Sequence, residues 1–269
     1  MVSATRTEPR EGRIDLPGCE IRYLEAGEGP ALLHLHGSGG LRWDQQKIML
    51  AERFRVIAPE APGFGGSQLP SGVHSLPGLA DALAAMIGQL GGDRAHVLGT
   101  SFGGRVATWL ALLHPESVER LVLSAPASFR PAGAKKLADM APEEHARLLQ
   151  RRSAPSNGAS PATAPDPAAE QMRQSNLRAV DHLTAQNPPE DELLARLSEI
   201  ETPTLVLFGA EDQLIPPENG RIYADRMPDC HLVYVYAAGH LIAQDRPDAY
   251  VRTVSEFLER GPAFVVNRG

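Results

Sequence analysis

Cysteine is scarce in this chain: its 269 residues include two, Cys19 and Cys230. They stand far apart and neither belongs to a Cys-x-x-Cys motif, so the sequence excludes a cysteine-based zinc knuckle and a disulfide framework. So few cysteines are typical of a protein from a reducing compartment.

The chain also lacks clustered positive charge and long apolar runs. Its formal net charge is −7, and nucleic-acid binding needs clustered Lys and Arg that do not occur here, which excludes that class. No stretch reaches the 18 apolar residues of a membrane span, and the first ten residues lack the apolar run of a signal peptide. We therefore expect a cytoplasmic protein without nucleic-acid or membrane partners.

Short apolar runs alternate with helical patterns along most of the chain. This alternation predicts an α/β fold with a mainly parallel sheet, and uniformly apolar strands indicate that helices cover both of its faces. The predicted strands are residues 20–26, 31–36, 55–59, 95–100, 120–124, 204–208 and 231–236. The predicted helices between them are residues 76–90, 102–114, 217–227 and 247–260, with Ser75 as an N-cap.

This alternation stops between residues 129 and 201. The segment has helical patterns at 134–140, 142–151, 168–185 and 190–200, and the stretch 153–168 is rich in Pro, Ala, Ser and Gly, which predicts a mobile loop. We interpret 129–201 as a helical cap or lid, with residues 1–128 and 202–269 forming the core. The alternative is a linker with a helical appendage.

A glycine-flanked serine follows the predicted strand at 95–100. Gly99-Thr100-Ser101-Phe102-Gly103 is a Gly-x-Ser-x-Gly motif between that strand and a helix of small residues. Such a turn exposes a strained serine hydroxyl, and glycines at 99 and 103 leave room where strand and helix approach each other. Ser101 is therefore the candidate nucleophile.

A second glycine-rich turn ends the strand at 31–36, with the sequence His36-Gly-Ser-Gly-Gly40. Its exposed backbone N–H groups are suited to stabilise an oxyanion. We predict one donor at Ser38, with Gly39 as a close competitor, and the other at Phe102, directly after the nucleophile. The alternative is a tight turn without a catalytic role.

Two late strands each end in a residue that a serine nucleophile requires. Glu211 and Asp212 follow the strand at 204–208, where a carboxylate could orient an imidazole. His240 follows a strand and Gly239, and an imidazole titrates near neutrality, as a general base must. The order of Ser101, acid and His240 differs from that of the trypsin and subtilisin types.

In these motifs the chain resembles the α/β-hydrolase superfamily, and specifically small bacterial enzymes with a helical cap after the sixth core strand. The resemblance rests on residues 36–40, 61–67, 99–103, 209–212 and 239–247. It implies Asp212 as the acid, because the family pattern is Gly-x-x-Asp. It also implies a serine hydrolase with a small-molecule substrate. An acyl-enzyme route through Ser101, His240 and Asp212 needs no metal or cofactor.

The nucleophile narrows the reaction within the superfamily. Haloalkane dehalogenases and epoxide hydrolases need a carboxylate nucleophile, so Ser101 disfavours both. Cleavage of a carboxylic ester through an acyl-enzyme is the preferred hypothesis. The alternative is carbon–carbon bond hydrolysis of ring-fission products, as in the meta-cleavage-product hydrolases, for which Arg173 and Arg178 could bind a substrate carboxylate. A third hypothesis is a ligand-binding member without catalysis.

Substrate contacts are predicted at three further positions. Gly39 belongs to the oxyanion turn, while Trp43 and Phe129 are candidates for an apolar pocket beneath the cap.

Overall fold

The computed structural model describes residues 7–65, 72–90, 92–129, 137–151 and 167–264. Within these ranges, eight strands form one sheet. They are β1 (Arg10–Leu16), β2 (Cys19–Ala26), β3 (Ala31–Leu35), β4 (Arg55–Pro59), β5 (Ala95–Thr100), β6 (Val118–Ser124), β7 (Thr204–Gly209) and β8 (Cys230–Val235).

The same ranges contain α-helices that alternate with most of the strands. They are α1 (Gln45–Ala51), α2 (Leu76–Gln89), α3 (Phe102–Leu113), α4 (Pro142–Leu149), α5 (Pro167–Thr184), α6 (Glu190–Arg196), α7 (Gly220–Ala224), α8 (Ile242–Asp245) and α9 (Pro247–Arg260).

The strand order across the sheet is β1-β2-β4-β3-β5-β6-β7-β8. The pairs β1–β2 and β2–β4 are antiparallel, whereas every pair from β4 and β3 through to β8 is parallel. The carboxyl ends of β3, β5, β7 and β8 therefore meet at one edge of the sheet, where open parallel sheets bind their ligands. Every candidate catalytic side chain follows one of these four strands.

Both faces of the central strands are covered. All six residues of β7 are buried, although successive side chains point to opposite faces. Helix α9 packs its apolar stripe of Tyr250, Val254 and Phe257 inward, at the spacing expected of an amphipathic helix. Helix α2 begins at Ser75, whose Oγ accepts the Gly78 N–H at 3.1 Å, as the sequence predicted.

The predicted α/β class is confirmed, and the predicted strands match observed ones to within two residues at either end. Four features differ from prediction, one of them the short helix α8, which was not expected. Strand β1 and helix α1 were not expected, and the helix predicted at 217–227 is a 3₁₀ turn at Pro217–Asn219 followed by the short α7.

A helical segment separates β6 from β7, as predicted. Its α4, α5 and α6 match three of the four predicted helices, and a 3₁₀ turn at Leu137–Asp139 lies within the fourth. Most of the predicted loop at 153–168 lies outside the described residues. In the described ranges, no helix is long and apolar enough to span a bilayer.

The close packing of α3 against the end of β3 allows us to predict how a substitution at Gly103 changes stability. A Cβ atom there would lie 2.4 Å from the Leu35 carbonyl oxygen and 2.6 Å from that of His36, and these backbone oxygens at the end of β3 cannot yield. We expect Gly103→Ala to lower the free energy of unfolding by about 3 kcal/mol, the upper part of the range for overpacked sites. Chemical denaturation followed by circular dichroism measures this.

Gly88 provides the matched control in α2, because a Cβ at that position meets nothing within 4 Å. We expect Gly88→Ala to raise the free energy of unfolding by about 0.5–1 kcal/mol, since alanine restricts the unfolded chain and favours helix. Equal effects of the two substitutions would contradict the steric explanation.

Candidate active site

Ser101 lies on a strained turn between β5 and α3. Its backbone φ is 52°, a value that costs free energy in a residue with a Cβ. Three hydrogen bonds hold this conformation: Ser101 N–H donates to the Ser124 oxygen at 2.9 Å, and the Ser101 oxygen accepts from Arg105 and Ala127, each at 3.1 Å. The turn therefore presents the Ser101 side chain above the carboxyl end of the sheet.

Close backbone approach explains the glycines of this motif. A Cβ at Gly99 would lie 2.3 Å from the Gly103 oxygen, and one at Gly104 would lie 2.9 Å from Pro126. Together with the contacts at Gly103, these distances leave no space for a larger residue. The requirement for glycine at positions 99 and 103 is confirmed.

The loops that carry Asp212 and His240 are bonded to one another. Ala210 N–H donates to the Val235 oxygen at 3.0 Å and Glu211 N–H donates to the Ala238 oxygen at 2.9 Å. Gly239 N–H donates to Oδ2 of Asp245 at 2.8 Å, which fixes the backbone before His240. The ends of β7 and β8 are thus held at a spacing that brings Asp212 and His240 into contact.

The three predicted side chains form one hydrogen-bonded chain. Ser101 Oγ lies 3.0 Å from His240 Nε2, and His240 Nδ1 lies 2.8 Å from Asp212 Oδ2. Asp212 Oδ1 accepts the N–H groups of Leu214 and Ile215 at 2.8 and 3.0 Å. Exposure is 8% for Ser101 and 2% for both Asp212 and His240. A carboxylate so held can fix the imidazole with Nδ1 protonated and Nε2 free to take a proton.

The turn at residues 37–40 is closed by a hydrogen bond from Gly40 N–H to the Gly37 oxygen at 3.1 Å. The amides of Ser38 and Gly39 lie inside this turn and take no part in that bond. Phe102 is the first residue of α3, so its N–H has no partner within the helix. Ser38, Ser101 and Phe102 line the same cavity, an arrangement suited to two oxyanion donors.

His36 stabilises the turn at residues 37–40 through both of its ring nitrogens. Its Nδ1 lies 2.7 Å from the Gly37 oxygen, and its Nε2 lies 3.0 Å from the Ala61 amide nitrogen. Nδ1 therefore donates and Nε2 accepts, as in a neutral imidazole. Burial lowers the pKa of His36 to about 4, although the Gly37 carbonyl opposes the shift.

Two cavities meet at Ser101. The larger one, of about 670 Å³, has Leu137, Leu177 and Val180 of the helical segment in its wall, with Arg105, Asp181 and Glu190 as charged members. The smaller one, of about 210 Å³, lies on the His240 side and contains residues 37–40. Besides Ser101 and His240, its other polar members are His34, His36, Arg42, Asp44, Gln46, Lys47, Thr100, His145 and Gln244.

The smaller cavity contains buried hydrogen-bond donors. Lys47 is buried with its Nζ 3.1 Å from Asp44 Oδ1; burial lowers the pKa of Lys47, and Asp44 opposes the shift. His34 is 1% exposed, and among the described residues its ring has no hydrogen-bond partner beyond its own backbone. Burial holds the pKa of His34 well below its ordinary value, so the ring is neutral.

The structure brings Gly39 to the smaller cavity but does not bring Trp43 or Phe129 to either one. Trp43 packs against the core and its Nε1 donates to the Thr7 oxygen at 3.1 Å. The Phe129 ring packs against Tyr223 with centroids 5.4 Å apart. Both aromatic side chains stabilise the fold at these places, so the geometry does not support their predicted substrate contacts.

Arg173 and Arg178, both on α5, also lie away from these two cavities. Arg173 forms two hydrogen bonds to Glu170, at 2.7 and 2.8 Å, and neither Arg173 nor Arg178 lines the two cavities at Ser101. Among the described residues, no group of three or more His, Cys, Asp or Glu side chains could hold a metal ion.

Sequence reasoning missed Lys47 and His34 as members of the site. The signal for Lys47 was a cation directly before the apolar run Ile48-Met49-Leu50-Ala51 and three residues after the helix-capping Asp44. The signal for His34 was a polar residue in the middle of an otherwise apolar strand.

Comparison with known proteins finds a matching family model and similar enzymes. Residues 30–247 match the model of the alpha/beta hydrolase fold family. A 2-hydroxy-6-oxo-6-phenylhexa-2,4-dienoate hydrolase of Burkholderia cepacia is 30% identical, over 91% of this chain and 93% of the relative. A pimeloyl-[acyl-carrier protein] methyl ester esterase of Aeromonas hydrophila subsp. hydrophila is 29% identical, over 86% of this chain and 96% of the relative.

The fold is also found in solved structures. The crystal structure of naproxen esterase from Bacillus subtilis matches with a TM-score of 0.70 at 17% identity, covering 93% of this chain and 92% of that one. These comparisons confirm the predicted fold class and the prediction of a hydrolase. The chain belongs to the alpha/beta hydrolase fold family.

Proposed function

We propose that the protein is a serine hydrolase that cleaves a carboxylic ester of a small, largely apolar substrate. The observation that carries the proposal is the continuous hydrogen-bonded chain from Ser101 through His240 to Asp212, at the junction of two cavities. It provides a nucleophile, a base and an orienting carboxylate in the order that acyl transfer requires.

The proposed reaction proceeds through an acyl-enzyme. Ser101 Oγ attacks the ester carbonyl carbon while His240 Nε2 takes the hydroxyl proton, and the N–H groups of Ser38 and Phe102 stabilise the oxyanion. His240 then gives that proton to the departing alkoxide, which leaves as an alcohol. A water molecule, deprotonated by His240, attacks the acyl carbon; the acid departs and Ser101 regains its proton.

We propose residues 129–201 as the cap of this site. Within the described part of that segment, α5 contributes Leu177 and Val180 to the larger cavity, and α4 contributes His145 and Leu149 to the smaller one. Side chains of the cap therefore face both sides of Ser101, where they can select the substrate. The cytoplasmic location remains a prediction.

Carbon–carbon bond hydrolysis of ring-fission products is the second candidate. It is favoured by the buried donors Lys47 and His34, which could bind the carboxylate of such a substrate. We place it second because Arg173 is already engaged by Glu170 and because Leu241, not the tryptophan found in many such enzymes, follows His240.

The nucleophile is tested by Ser101→Ala. With p-nitrophenyl butyrate as substrate, we expect kcat to fall on the order of 10⁶-fold, because the covalent route is lost. Ser38→Ala is the control: it retains the backbone N–H, so we expect little change in kcat. Release of p-nitrophenolate, followed by absorbance, gives both rates.

The same assay separates the candidate functions. Wild-type turnover of the ester but not of a vinylogous 1,5-diketone ring-fission product supports ester hydrolysis, and the reverse supports carbon–carbon hydrolysis. Absence of both activities, with a ligand still bound, would assign the protein to the non-catalytic class.

The orienting acid is tested by Asp212→Asn. An asparagine favours the wrong imidazole tautomer, so we expect kcat to fall by about 10⁴-fold, as in the serine-protease precedent. Glu211→Gln is the matched control and should leave kcat nearly unchanged. If Glu211→Gln caused the larger loss, the acid would be Glu211.

A further inference from the structure

Asn176 is a buried polar residue on a helix of the cap. It lies on α5 and is 2% exposed, although asparagine is seldom fully buried without hydrogen-bond partners. The neighbouring Leu177 lines the larger cavity at Ser101. The contacts of Asn176 therefore show how α5 is attached to the core next to Ser101.

The side-chain amide of Asn176 contacts two core turns at once. Its Oδ1 accepts the Gly65 N–H at 3.2 Å. Its Nδ2 lies 2.8 Å from the place that a Cβ on Gly40 would occupy, so the amide covers Gly40 closely. Gly40 has a φ of 83° and closes the oxyanion turn at 37–40.

Through Gly65, Asn176 is also connected to the oxyanion turn by a series of hydrogen bonds and ring contacts. Gly65 follows a turn in which Phe64 N–H donates to the Ala61 oxygen at 3.0 Å. The Ala61 amide bonds to His36 Nε2, and His36 Nδ1 bonds to the Gly37 oxygen. The Phe64 ring also packs against His36 and Phe102, with centroids 4.7 and 5.6 Å away. Both predicted oxyanion donors, Ser38 and Phe102, are thus adjacent to structure that Asn176 holds.

We infer that Asn176 is a positioning residue. Through it, the position of the cap helix α5 on the core determines the geometry of the oxyanion turn. The inference rests on the proposed function, because it assigns the 37–40 turn a role in the reaction. When α5 is docked on the core, it places Leu177 in the wall of the substrate cavity and holds Asn176 against the turn that stabilises the oxyanion. Asn176 itself does not line either cavity at Ser101.

Asn176→Ala tests the coupling. Displacement of an oxyanion donor weakens transition-state binding more than ground-state binding, so we expect kcat for p-nitrophenyl butyrate to fall about 10- to 100-fold with little change in KM. Affinity for a boronic acid that forms a tetrahedral adduct on Ser101 should fall by a similar factor.

Asn187→Ala is the matched control. Asn187 Oδ1 also accepts a core amide, that of Leu76 at 2.8 Å, but this bond attaches the helical segment to the start of α2 and not to Gly65 or Gly40. We expect Asn187→Ala to lower the melting temperature comparably while leaving kcat and boronate affinity nearly unchanged. Equal kinetic losses in the two variants, or an unchanged kcat in Asn176→Ala, would overturn the inference.

If Asn176→Ala does not fold, hydrogen exchange of the wild-type protein tests the coupling instead. Boronate binding should slow exchange of the Gly65 amide together with the amides of residues 38–40. Slowing at 38–40 without any change at Gly65 would show that no coupling exists. A wild-type protein that hydrolyses no ester and no ring-fission product contradicts the proposed function, whereas these outcomes concern Asn176 alone.

Discussion

The backbone at Ser101 is the constraint on which the site depends. A residue with a side chain sits at positive φ there, which strand β5 and helix α3 permit only because Gly99, Gly103 and Gly104 let their backbones touch. The strain places the hydroxyl above the sheet edge instead of within the sheet. The surrounding hydrogen bonds to Ser124, Arg105 and Ala127 offset its cost, so the position of this proposed nucleophile is a property of the fold and not of a flexible loop.

The same principle governs the partners of Ser101. Gly209 and Gly239 approach so closely that a Cβ at Gly209 would lie 2.1 Å from the Gly239 oxygen. This contact, with the backbone bonds between the two loops, leaves His240 little freedom relative to Asp212. Preorganisation of this kind is what makes hydrogen-bonded donors and bases effective in catalysis, because no reorganisation is needed at the moment of reaction.

These backbone constraints explain which parts of the structure could be predicted from the sequence. Motifs that encode backbone geometry, such as Gly99-x-Ser101-x-Gly103, could be predicted because only glycine satisfies the close approach. Strand β1 was missed because it is an edge strand with exposed polar residues and two buried ones, Ile14 and Leu16, so it carries no apolar run. Trp43 and Phe129 were placed in the pocket because an aromatic side chain looks the same in sequence whether it faces substrate or core.

Contacts across long sequence separations were beyond prediction for a different reason. Asn176 meets Gly65 and Gly40 only after α5 has docked on the core, and nothing local in the sequence specifies that docking. α5 carries both Leu177 in the cavity wall and Asn176 against the turn at 37–40, so the coupling that we infer would link substrate selection to rate. On that proposal, a substrate that displaces α5 would also disturb the proposed oxyanion donors Ser38 and Phe102, so the proposed cap would discriminate between substrates through kcat as well as through binding.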